Sequence, residues 1–110
     1  MLPRRILLAL VVAPLGLAPV SAHAATIQVE MDKLVFSPVE TQAKVGDTIE
    51  WVNRDILAHT ATATAGDNWN VIIGPNKTEK LVVQKPGTVD YYCKYHPNMK
   101  GRLIIAPRAD

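Results

Sequence analysis

Thr88-Val89-Asp90-Tyr91-Tyr92-Cys93, running on into Lys94-Tyr95-His96-Pro97-Asn98-Met99-Lys100-Gly101, decides how the rest of this chain is read. The first part alternates as a strand does. Val89 and Tyr91 share a face with Cys93, and Asp90 and Tyr92 share the other. The second part is a turn that Pro97 stiffens, and Gly101 lets the chain leave it for a further strand, Gly101 to Ala106. Outward from this point the same period of two recurs, and little of the chain has a helical period. Ile27, Val29 and Met31 point one way, with Leu34 and Phe36 continuing that apolar face until Pro38 breaks the run. Val39 to Val45 is extended and ends at the turn Gly46-Asp47. In Thr48 to Asn53, Ile49 and Trp51 alternate with Glu50 and Val52, and Asn53-Arg54-Asp55 is a polar turn. His59 to Thr64 alternates strictly, so its threonines share a face. Trp69 to Ile73 is a short strand or buried loop between the turn signals Gly66-Asp67-Asn68 and Gly74-Pro75-Asn76. Thr78 to Val83 precedes the tight turn Pro86-Gly87. About seven to eight short strands divided by such signals predict an all-β fold, an antiparallel Greek-key β-sandwich.

The turn after Cys93 carries the chemistry. A thiolate, an imidazole and a thioether (Cys93, His96 and Met99) fall within it, and a second imidazole, His59, lies on an upstream strand. Two His, one Cys and a weak axial Met are the ligand set of a blue-copper site. Cu(I) favours soft, low-coordinate sulfur, whereas Cu(II) favours nitrogen and tetragonal geometry. A trigonal His₂Cys plane with a long axial thioether lies between the two, so little has to move when one electron passes. Each residue alone has a plainer reading: a buried Cys, a satisfied His, a core-filling Met. Their joint spacing on one turn, with a His from another strand, favours a metal. Zinc could take Cys and two His, but a thioether suits Cu(I) better. Tyr91, Tyr92 and Tyr95 read as packing residues rather than an electron relay.

The start of the chain leads us to expect export from the cytoplasm. Arg4 and Arg5 precede an apolar run from Ile6 to Val20, followed by Ala22-His23-Ala24. These are the charged region, apolar region and small-residue cut site of a secretory signal. Residues 1–24 are expected to be a signal peptide cleaved after Ala24, leaving 25–110 as a single domain. Pro14, Gly16 and Pro19 argue against a membrane span; the Arg pair leaves the general and twin-arginine export routes both open. Cys93 is the only cysteine and has no disulfide partner within the chain. A metal would protect its thiol from oxidation in an exported setting. Loss of Arg4 and Arg5 brings the 12 basic residues down to the same count as the 10 acidic ones. With no basic block and few aromatics, nucleic-acid binding has no support.

Phe36-Ser37-Pro38, Val45-Gly46-Asp47-Thr48, Trp51-Val52-Asn53, His59, Pro86-Gly87-Thr88 and Tyr91-Tyr92-Cys93 through Gly101 together resemble the cupredoxins, the type 1 blue-copper proteins of amicyanin and plastocyanin type. The likeness covers essentially all of residues 25–110, and the short gap between His96 and Met99 matches the amicyanin branch. It implies one copper held by His59, Cys93, His96 and Met99, with the His96 edge as the electron port in an apolar patch that includes Pro97. Many members carry Asn directly after the first His ligand, where its amide ties the two ligand loops together; here the residue is Thr60, whose hydroxyl has a shorter reach.

The function expected is periplasmic one-electron transfer by a monomer, in transient contact with redox proteins such as a dehydrogenase, a c-type cytochrome or a terminal acceptor. A mononuclear site with every position filled offers no place for a substrate, so no enzymatic activity is expected. The alternative is a copper storage or delivery protein. Such proteins use exposed Met and His clusters, and only Met31 and Met99 follow the leader.

Overall fold

The computed structural model describes residues 23–65 and 69–109. Nearly all of the expected leader, residues 1–22, and the turn signal Gly66-Asp67-Asn68 lie outside the described residues. Among the described residues nine strands follow one another: β1 (Thr26–Asp32), β2 (Val35–Ser37), β3 (Glu40–Lys44), β4 (Thr48–Asn53), β5 (His59–Ala63), β6 (Asn70–Ile73), β7 (Thr78–Val82), β8 (Gly87–Cys93) and β9 (His96–Ala106). They form a sheet in the order β2-β1-β4-β7 and a second in the order β3-β9-β8-β5-β6.

The expected β-sandwich is therefore present, with one strand more than anticipated. Lys33 and Leu34 take left-handed φ angles of 56° and 64°, the geometry of a tight hairpin turn. The chain folds back there, and Val35–Ser37 pairs with the end of β1, Asp32 facing Val35. Phe36 is fully buried, as its place in the alternation predicts. Leu34 stands 44% exposed in the turn and does not continue the apolar face.

Two of the pairings are parallel, β1 with β4 and β3 with β9; the others are antiparallel. The chain leaves the first sheet after β2, runs β3 in the second and returns for β4, which then lies alongside β1 in the same direction. Alternation reports which face a residue takes, not its strand's partner, so these parallel pairs were not legible beforehand. The faces themselves are as expected: Val29, Met31, Ile49 and Trp51 point into the core, and the register sets Val29 beside Trp51.

Tyr91 is the hub of the core. Its ring meets Phe36 edge-on at 4.7 Å and Trp51 at 5.6 Å, and Trp69 lies 5.7 Å away. Its hydroxyl accepts a hydrogen bond from Trp51 Nε1 at 3.3 Å, so the buried polar tip is satisfied. Burial pushes this phenol up to about 12, so it stays a neutral hydroxyl at physiological pH. Across the hairpin, Gly101 pairs with Tyr91. A Cβ at Gly101 would stand 2.4 Å from Tyr91 Cζ; the ring occupies the space a side chain would need.

Candidate metal centre

The β8–β9 hairpin builds one half of the site. Its turn is only Lys94-Tyr95, and Cys93 pairs directly with His96. Tyr92 and Cys93 are adjacent, yet their partners Lys100 and His96 lie four positions apart. Pro97, Asn98 and Met99 are the surplus residues of a bulge, which re-aims side chains at a strand end. The turn read from the sequence is thus a distortion inside a strand pair, and β9 begins at His96 rather than Gly101. The bulge leaves Pro97 and Asn98 exposed while turning Met99 inward, 3% exposed.

The other half comes from β5 and the loop before it. His59 is the first residue of β5 and is wholly buried, as is Cys93. His59 Nδ1 lies 3.7 Å from Cys93 Sγ, and the His96 ring stands edge-on to His59 at 5.1 Å. The structure thus brings His59, Cys93 and His96 to one end of the sandwich, with Met99 buried in the bulge of the same hairpin. Among the described residues, no group of three or more His, Cys, Asp or Glu side chains is placed so as to hold a metal ion. What the chain provides is the close Cys93–His59 pair and the adjacent His96 ring.

Two residues of the polar turn Asn53-Arg54-Asp55 set the orientation of His59. Asn53, 1% exposed, spreads its amide over the carbonyls of Leu57, Ile73 and Gly74 at 2.8, 3.1 and 3.1 Å. Its Oδ1 accepts the Asp55 backbone N–H at 2.9 Å. The loop so fixed brings Asp55 Oδ2 to 2.7 Å from His59 Nε2. Asp55 also accepts the backbone N–H groups of Lys33 and Leu34, at 2.7 and 3.1 Å, which the left-handed β1–β2 turn aims at it. Burial pushes the Asp55 carboxyl up, but the hydrogen bonds from His59, Lys33 and Leu34 outweigh this and hold it below the ordinary value. An ionised carboxylate only accepts, so Nε2 carries the proton and Nδ1 is left to face the sulfur.

Thr60 joins the two halves. Its backbone N–H donates to Cys93 Sγ at 3.2 Å, and its hydroxyl accepts the Lys94 N–H at 2.8 Å. Thr62 spends its proton on Asn70 Oδ1 at 2.6 Å, so Thr60 donates to Thr62, 2.8 Å away. A directed chain therefore runs from Lys94 through Thr60 and Thr62 to Asn70. The Thr hydroxyl reaches the residue after Cys93 in spite of its length, because β5 passes close to the hairpin. Replacing Thr60 by Val keeps the shape but leaves the Lys94 N–H and the Thr62 hydroxyl short of a partner. Urea titration should show a loss of about 1–3 kcal/mol.

The donor set fits a metal ion. A nitrogen and a sulfur, each offering a lone pair, face one another across a buried gap. Bonds of about 2.0 Å to nitrogen and about 2.3 Å to sulfur span that separation at a near-trigonal angle. The Thr60 N–H, 3.2 Å from the sulfur, holds Cys93 Sγ in place facing that gap.

A β-sandwich with a Cys–His pair buried at one end defines a small metal-binding class, and comparison with known proteins agrees. The chain belongs to the cupredoxin-like domain family, whose model matches residues 5–105. It is 32% identical over 84 residues to amicyanin from Paracoccus denitrificans, covering 72% of this chain and 64% of that protein, just under two thirds of its length. It is 30% identical over 114 residues to plastocyanin from Prochlorothrix hollandica, covering 90% of this chain and 87% of that protein. The solved Cu(I) form of an amicyanin variant superposes with a TM-score of 0.68 at 30% identity, over 78% of this chain and 85% of that one.

Proposed function

We propose that this chain is an exported type 1 copper electron carrier, in which His59, Cys93, His96 and Met99 would hold the copper. The observation that carries this is the buried approach of Cys93 Sγ to His59 Nδ1 at 3.7 Å, with Asp55 and Thr60 holding both donors in place. When bound, copper supplies the one-electron Cu(I)/Cu(II) couple. The protein supplies His59 and Cys93 already positioned by hydrogen bonds that do not depend on the metal. Its relatives in amicyanin and plastocyanin support copper as the ion.

His59, Cys93 and Met99 are buried and His96 alone is half-exposed, so the His96 edge is the route by which an electron leaves. Exposed apolar residues adjoin the donors along the chain: Tyr95 and Pro97 flank His96, and Ile56 and Leu57 follow Asp55. That surface suits brief contact with a dehydrogenase, a c-type cytochrome or a terminal acceptor, through the small interface usual for redox encounters. The protein works as a monomer in the periplasm after cleavage behind Ala24. Four protein donors leave no position for a substrate, so the chain carries electrons and makes no bonds.

Voltammetry tests this reading. One reversible one-electron wave with one copper per chain is expected; rapid loss of copper to a weak chelator would instead indicate copper delivery. Asp55→Asn should weaken copper binding about 10–100-fold, measured by competition with a chelator. In its folded state Asp55 ionises below its unfolded value, so its contribution to stability is complete above the unfolded pKa. It is lost as pH falls through the lowered folded value. The wild-type advantage over Asp55→Asn should shrink in that acid range.

A further inference from the structure

The strongest unexplained polar cluster lies away from the four donors, at the start of β1. Ala25 is pinned on both sides: its N–H donates to Asp47 Oδ1 at 2.9 Å, and its carbonyl accepts the Thr48 N–H at 2.9 Å. Asp47 is 4% exposed. Its Oδ2 accepts the Lys44 N–H at 2.9 Å, and Oδ1 also pairs with Arg108 Nη2. Arg108 is anchored by its Nε on the Val45 carbonyl at 2.7 Å and reaches the His23 carbonyl at 3.4 Å. Immediately above Ala25 stands Ala22-His23-Ala24, read as a signal-peptidase recognition sequence.

We propose that cleavage behind Ala24 turns the Ala25–Asp47 hydrogen bond into a part-buried ion pair between the new N-terminal ammonium and the Asp47 carboxylate, so that removal of the leader itself fastens the first strand. This rests on the cleavage site proposed above. In the hydrolysis, water adds its hydroxyl to the Ala24 carbonyl carbon, the C–N bond breaks, and the Ala25 nitrogen takes the proton. At neutral pH the amine takes a second proton from solvent, since α-amino groups ordinarily titrate near 7.7–8.0. The nitrogen already sits at hydrogen-bonding distance from the carboxylate, so no strand has to move to form the pair. A charge-assisted hydrogen bond is about twice as strong as a neutral one.

The charged groups facing Asp47 are Arg108 from the tail and Lys44 from β3, and His23 lines the same cleft and departs with the leader. Burial pushes the Asp47 carboxyl up, while the amides of Ala25 and Lys44 and the charges of Arg108 and Lys44 bring it below the ordinary value. The carboxylate is thus ionised when the new ammonium arrives. Pairing raises the pKa of the folded amine, so its contribution is complete below the ordinary amine value and is lost as pH rises through the raised one.

The test compares the copper-loaded chain starting at Ala25 with a free amine and the same chain Nα-acetylated at Ala25, whose amide reproduces the uncut chain. NMR should find the free amine raised by about one unit. The free-amine chain should have a folding equilibrium constant roughly tenfold larger at neutral pH. That advantage should vanish in alkaline solution and should be missing on an Asp47→Asn background. An amine titrating at its ordinary value, with both chains equally stable at every pH, would overturn the ion pair. The mass of the exported protein tests the cleavage separately. A start at Ala25 supports it, and any other start overturns the link to processing whatever the titration shows.

Discussion

Replacing Cys93 by Ser is expected to abolish the intense visible absorption of the Cu(II)-loaded protein and, with it, reversible electron transfer. The band requires a thiolate bonded to copper, and Cys93 is the only cysteine in the chain. In the proposed site the thiolate would also be the soft donor that keeps Cu(I) and Cu(II) close in preferred geometry; with oxygen in its place the site should hold ordinary tetragonal Cu(II) weakly or not at all. The metal-free fold should change little, by about 1 kcal/mol, because serine still offers an acceptor to the Thr60 N–H that bonds sulfur at 3.2 Å. A Cys93→Ser protein that keeps its colour would remove Cys93 from the site.

The largest stability effect is expected from Gly101→Ala. The new methyl would meet Tyr91 Cζ, Oη and Cε1 at 2.4, 2.6 and 2.8 Å. A flexible side chain could swing aside, but Tyr91 is 1% exposed and is held by Phe36, Trp51 and Trp69. Either the ring leaves its place, breaking the Trp51 hydrogen bond, or β8 and β9 separate beside Cys93 and Met99. Overpacking of this kind costs about 3 kcal/mol, and for a domain of this size Tm should fall by more than about 10 °C. The double variant Gly101→Ala with Tyr91→Leu should be less unstable than the sum of the two single losses, since both act on the same space. Thermal denaturation of the four proteins checks this. Strict additivity would mean that the ring and the glycine do not compete.

The outcome at particular residues shows what the chain made legible. Period-two alternation correctly assigned the inward faces of β1, β4 and β8, because a sheet residue's side follows from its position alone. The candidate ligands Cys93, His96 and Met99 stood out because they lie close together in the chain. Partner choice between distant strands was not recognisable, which is why the parallel β1–β4 and β3–β9 pairs came only with the structure. The Lys33-Leu34 turn lacks the Gly or Asn usual where φ is positive, so β2 was joined to β1. Asp55 gave no signal beyond a polar turn, and Asn53 none beyond that turn, a strand end and a motif of the family resemblance. Their roles depend on the amides of Lys33 and Leu34 and the carbonyls of Ile73 and Gly74, which sequence separation hides. Thr60 stood out as a departure from the family pattern. Only the proximity of β5 to the hairpin shows that its hydroxyl still reaches Lys94.

The central claim is that copper sits between the Cys93 sulfur and the two imidazoles. The visible and EPR spectra of the Cu(II)-loaded chain beginning at Ala25 test it most directly. The account predicts an intense thiolate-to-copper charge-transfer band with a narrow copper hyperfine splitting. A colourless protein, or a pale one with the wide splitting of ordinary tetragonal copper, would contradict it.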